Sequence, residues 1–83
     1  MLAVWNSAMK FRYTDHILRR IKQRELSRQE IEETVSCSHR TEKSFGERYL
    51  ARREFRGKIL EVVYKEEFGS AILITAYWIK ESK

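Results

Sequence analysis

From Ser70 to Ile79 the chain reads Ser-Ala-Ile-Leu-Ile-Thr-Ala-Tyr-Trp-Ile, apolar at both alternating sets of positions. On a strand, Ile72, Ile74 and Ala76 point one way and Leu73, Thr75 and Tyr77 the other. A strand with one face in water alternates apolar with polar, so this run predicts a central strand covered on both sides. Ile, Thr, Tyr and Trp favour a strand over a buried helix, and Gly69 supplies a turn just before it.

Nearer the start, the apolar period is helical. Thr14 or Asp15 caps a first helix running to about Glu25, with Ile17, Leu18 and Ile21 as its apolar stripe. Leu26-Ser-Arg-Gln-Glu-Ile31 opens a second helix. Ser27 is its N-cap, Glu30 completes a capping box, and Leu26 and Ile31 stand where a hydrophobic staple closes. Ile31, Thr34 and Val35 supply the buried side, and neither helix is long enough to persist without packing.

After Cys37 the period shortens again. Strands are predicted over His39–Phe45, Arg48–Phe55, Lys58–Lys65 and Ser70–Ile79, broken at Gly46, Gly57 and Gly69. Short connections predict an antiparallel meander, with a tight turn at Arg56-Gly57 and a looser one through Glu67, Phe68 and Gly69. The order is two helices, then about four strands, an α+β fold with its helical hairpin on one face of the sheet. Val4, Trp5, Phe11 and Tyr13 offer a further short edge strand. With no Pro, no repeat and no linker, residues 1–83 form a single domain in which 1–8 are an upstream extension.

Length and charge narrow the partners. A domain of 83 residues buries only roughly 60–65% of its unfolded surface, so a partner covering apolar surface counts for much. The net charge of +5 and pI near 9.6 favour a polyanionic or acidic partner, without choosing among RNA, DNA and protein. A single cysteine, Cys37, excludes an internal disulfide and fits a reducing compartment. No run approaches the roughly 20 apolar residues of a membrane span. Residues 1–9 lack the basic start and apolar core of a signal peptide, so the expected location is cytoplasmic, with no membrane partner.

Neither a zinc-ligand spacing, a phosphate-cradling glycine loop nor a Gly-x-Ser-x-Gly elbow is present, so no metal or cofactor is expected. Three groups of side chains remain. His16, Arg20 and Arg24 recur every four residues along the first helix, beside its apolar stripe. Arginines so placed grip phosphates, and histidine moves protons near neutral pH. Spacing by itself favours a solvated helix face.

The second group is the hairpin Arg48-Tyr-Leu-Ala-Arg-Arg-Glu-Phe-Arg-Gly-Lys58. Residues 39–58 hold seven Lys or Arg and three Glu, a balance of +4. Alternation puts Arg48, Arg52 and Arg56 with Leu50, and Arg53 with Tyr49, Ala51 and Phe55. Arginines beside aromatics suit single-stranded RNA; charged edge strands that resist aggregation have the same pattern. The third group is Tyr77 and Lys80, for acid–base help or base stacking, against a plain core role for the tyrosine. Trp78 faces the helices, and Cys37 lacks an activating neighbour.

Tyr13-Thr-Asp-His-Ile-Leu-Arg-Arg-Ile-Lys-Gln-Arg-Glu-Leu-Ser27 resembles the His-x3-Arg-x3-Arg-Gly-Ile-Ser opening of a small prokaryotic domain-of-unknown-function family grouped with RelE/ParE-like toxins. The likeness continues through Glu30-Ile-Glu-Glu33, Gly46-Glu-Arg-Tyr49, Ile59-Leu-Glu-Val-Val-Tyr64 and Ile72-Leu-Ile-Thr-Ala-Tyr77, covering about 9–81. The second half is also similar to BrnT toxins, with a Gly-Glu-Arg strand before a Val-Val-Tyr strand.

The resemblance implies a RelE-like fold, two helices on a curved antiparallel sheet, and a toxin–antitoxin role. Toxins of both kinds cut RNA without a metal, using basic and acid–base side chains. His16, Arg20 and Arg24 become signature positions, and Arg48 matches the strand arginine. Tyr77 stands where BrnT has arginine, a departure that bears on cleavage. Glu25-Leu26 in place of the family's glycine implies a different turn between the helices.

The expectation is therefore a toxin-like RNA-binding domain, with RNA and a nearby-encoded antitoxin as partners and endoribonuclease activity as its possible reaction. His16, Arg20, Arg24 and Tyr77 are its candidate catalytic residues. Arg48, Arg52, Arg53, Arg56 and Lys80 are its candidate nucleic-acid contacts. The alternative is a non-catalytic interaction module that binds an acidic partner protein through the sheet. Oligomeric state is not legible.

Overall fold

A strand comes before the helical hairpin. The computed structural model describes residues 10–24, 26–37, 40–43 and 46–79. The extension 1–8, Glu25, His39, Phe45 and Lys80 lie outside them, as do the side chains of 40–43. Strand β1, Lys10–Tyr13, pairs in parallel with the last strand, β5 (Ser70–Ile79), setting Lys10 opposite Ser70 and Tyr13 opposite Leu73. The edge strand suggested by Phe11 and Tyr13 is thus real and changes the topology. Val4 and Trp5 fall outside the described residues.

Thr14 turns β1 into helix α1, Asp15–Arg24. Its hydroxyl donates to the Leu73 carbonyl at 2.9 Å and accepts from the Ile17 amide at 3.3 Å, capping the helix and tying it to β5. Ile17 is fully buried and Ile21 packs against the core. Leu18, expected on the same stripe, is exposed, so the buried stripe is narrower than the spacing suggested. Helix α2, Arg28–Ser36, starts as expected: the Ser27 hydroxyl accepts from the Glu30 amide at 3.2 Å. Leu26 and Ile31 both enter the core.

Four antiparallel strands follow: β2 (Arg40–Lys43), β3 (Tyr49–Phe55), β4 (Lys58–Glu67) and β5. With β1 they form a mixed five-stranded sheet ordered β1-β5-β4-β3-β2. The expected sheet of about four strands, wholly antiparallel, is corrected by β1. The central strand is β4; β5 lies one place in from the edge. Both hairpin turns around β4 are two residues long. Arg56 and Gly57 have φ of 54° and 84°, and Phe68 and Gly69 have 49° and 77°. Paired left-handed residues match the twist of the flanking strands, so the second turn is as tight as the first, not looser.

A register shift decides which side chains enter the core. Thr75 pairs with Val63 and Leu73 with Tyr64, leaving Ile74 unmatched as a bulge. Ala71, Leu73 and Ala76 are consequently buried together, whereas strict alternation put Leu73 with Thr75 and Tyr77. α1 packs on β5 and α2 on β3 and β4, over a core that includes Ile17, Ile31, Leu60, Val62 and Leu73. Each such fully buried side chain contributes roughly 1.5–3 kcal/mol. The α+β class expected from the pattern holds, with a strand ahead of the helices.

Candidate functional site

The bulge frees Thr75 and Tyr77 from the core, and the register aligns Tyr77 with polar partners. Arg52 on β3 lies directly opposite Glu61 on β4, which lies opposite Tyr77 on β5, so the three share one sheet face. Arg52 Nε is 3.3 Å from Glu61 Oε1. Tyr77 hydrogen-bonds the same carboxylate, and burial together with the Glu61 charge raises the phenol pKa against the opposing pull of Arg52 and Arg20. Glu61 is 5% exposed, a buried charge made tolerable by these two partners.

Helix α1 adds two more groups. While Ile17 enters the core, the preceding His16 places Nε2 3.2 Å from the Thr75 hydroxyl and stays exposed. One turn on, Arg20 comes close enough to act on Tyr77, and its Nε is buried without a hydrogen-bond partner among the described residues. An exposed imidazole, a phenol and two guanidinium groups are thus gathered from three widely separated stretches of chain. Such a cluster can exchange a proton at His16 and attract an anion to Arg20 and Arg52.

Of the residues expected to act together, His16, Arg20, Tyr77 and Arg52 converge. Arg24 does not. It lines a separate groove with Arg56, Lys58 and Trp78. Arg53 lies on the helix side of β3, donating from Nη1 to the Cys37 carbonyl at 3.0 Å and resting over the Phe55 ring. Arg48 is exposed just before β3, and Lys80 is outside the described residues. Trp78 packs edge-on to Phe55 against the core, as expected for the side facing the helices. Among the described residues no group of three His, Cys, Asp or Glu side chains is placed to hold a metal, and no helix is long and apolar enough to cross a membrane.

Glu61 and Thr75 were missed as site residues. Glu61 interrupts the apolar run Ile59-Leu-Glu-Val-Val-Tyr64, and that lone acid in a strand was the available signal. Its partners were not, because they depend on register across three strands.

Together the fold and the cluster define a small basic α+β domain with a polar site shared by its first helix and its sheet. The model of the family described as Domain of unknown function (DUF4258) matches residues 13–78. The chain belongs to that family, and the matched span runs from the end of β1 through Tyr77 and Trp78. Comparison with curated proteins and with solved structures finds no match.

Proposed function

We propose that this DUF4258 domain is an RNA-binding toxin of the RelE-like and BrnT-like kind, cleaving RNA without a metal and held in check by an antitoxin encoded nearby. The observation that supports it is the approach of His16 to Thr75 beside Arg20, Arg52 and Tyr77. In that reading Arg20 and Arg52 hold a backbone phosphate and the negative charge that grows on it. His16 takes the proton of the adjacent 2′-hydroxyl as its oxygen bonds to phosphorus. The 5′-oxygen leaves with a proton from water, giving a 2′,3′-cyclic phosphate. Tyr77, tied to Glu61 and close enough to feel both Arg20 and Arg52, helps position the two guanidinium groups.

The test is incubation of purified protein with single-stranded RNA in excess chelator, and induced expression with and without the neighbouring gene. The wild type cleaves, His16→Ala does not, and growth arrests only without the antitoxin. A folded wild type that neither cleaves RNA nor slows growth overturns this reading. A salt-insensitive, RNA-free complex with an acidic protein then favours a non-catalytic interaction module.

A further inference from the structure

A second basic surface shares no residue with the polar cluster. Arg24 at the end of α1, Arg56 in the β3–β4 turn and Lys58 at the start of β4 surround a groove of about 470 Å³. Trp78 and Phe55 form its aromatic wall, ring centroids 6.2 Å apart, and Glu30 is its one acid. On the extended part of β5, Trp78 points away from Tyr77, so the groove opens on the other side of the sheet from the cluster.

The positive charge of this groove is only partly balanced among the described residues. Three cations face one carboxylate, and among the described residues none of the three has an ion pair. The Lys58 ammonium rests instead over the Trp78 ring, 5.8 Å from its centre. Converging unpaired cations repel one another and favour an anion between them. A bare phosphate or a lone peptide carboxylate would leave the aromatic wall unused. A nucleotide supplies both halves, and the volume falls within the ~300–1,000 Å³ of small-molecule sites.

We infer that this groove holds one nucleotide of a single-stranded RNA, its phosphate on Arg24, Arg56 and Lys58 and its base against Trp78. The inference rests on the reading of the domain as an RNA binder and adds a second point of attachment. Arginine for phosphate and an aromatic face for the base are the two components of sequence-tolerant single-strand binding.

The test reads Trp78 directly. The chain has two tryptophans, so a Trp5→Phe, His16→Ala protein keeps Trp78 as its sole indole and cannot consume the probe. Titration with pentaadenylate quenches its fluorescence saturably, and affinity falls with salt. Arg56→Gln and Lys58→Gln, both at exposed positions, each weaken binding and make the log–log salt slope shallower by about 0.7, the value for one lost contact to a single strand. Inorganic phosphate produces no comparable quench. Absence of quenching, unchanged salt slopes, or equal quenching by polyglutamate overturns the inference. The two readings fail separately: RNA cleavage by the wild type without a Trp78 response removes only the groove, and a Trp78 response without cleavage removes only the nuclease.

Discussion

The Nε of Arg52 stands 3.3 Å from Oε1 of Glu61, whose side chain is 6% exposed while that of Arg52 is 31% exposed. The pair is lopsided: a carboxylate withdrawn from water is held by a cation that still reaches it. Removing the acid leaves Arg52 and the Tyr77 hydroxyl without their shared acceptor, whereas removing both ends removes the desolvation penalty as well. Glu61→Leu, which removes the acceptor altogether, is therefore expected to lose about 1–3 kcal/mol, and the same change combined with Arg52→Met clearly less. Thermal melts decide it, at roughly 4–8 °C per kcal/mol for a domain of this size. A double variant worse than the single one refutes the account.

Thr14 joins three elements through one hydroxyl, which donates to Leu73 and accepts from Ile17. Thr14→Val keeps the shape and deletes these bonds together with the weaker one to the Ile74 carbonyl, for an expected loss of about 1–2 kcal/mol, while Thr14→Ser stays within a few tenths. Denaturant midpoints at unchanged slope are the measurement.

Alkali should unfold the domain through its tyrosines. Burial, with the Glu66 charge behind it, pushes Tyr64 up to about 12, and Tyr13 is raised by burial and by its hydrogen bond to Glu32. A tyrosine in the unfolded chain titrates near 10. Above that pH the unfolded state has lost protons that the folded state retains, so stability falls as pH rises. The contribution of Tyr64 is intact below about pH 10 and is lost between there and about 12. Tyr64→Phe keeps the ring that stacks on Tyr49 and should flatten the decline. Denaturant melts from pH 8 to 11.5 with absorbance at 295 nm read both quantities.

Thr75 anchors His16 without carrying charge. Under the proposed nuclease function, Thr75→Val lowers RNA cleavage about tenfold, alters the pH–rate profile, and leaves the melting temperature within a few degrees. The same loss of activity with an unchanged profile would make the threonine a packing residue only.

Local chemistry was legible in the sequence. The Ser27 cap, the Leu26 and Ile31 staple and the bounds of β5 each depend on neighbours within a few residues, and each was read correctly. Pairings between distant stretches were not. Nothing in Lys10–Tyr13 names Ser70–Leu73 as its partner, and nothing in the apolar run of β5 marks Ile74 as the residue without an opposite number. That bulge moved Leu73 into the core and left Tyr77 opposite Glu61 and Thr75 within reach of His16. The arginines and His16 were visible as types at helical or strand spacing, but which of them meet is a matter of register. Hence Arg20 and Arg52 gather at Tyr77, and Arg24 joins Arg56 elsewhere.

The parallel pairing of β1 with β5 has a consequence for the order of events during synthesis. His16 and Arg20 leave the ribosome early, and Thr75 and Tyr77 follow only after both intervening hairpins. Closing so long a loop is slow compared with forming either hairpin. A nascent chain that ends at Glu67 therefore carries the helix and its cations but neither Thr75 nor Tyr77. The polar cluster is thus completed only once β5 has been made and has joined β1, after the helices and both earlier hairpins.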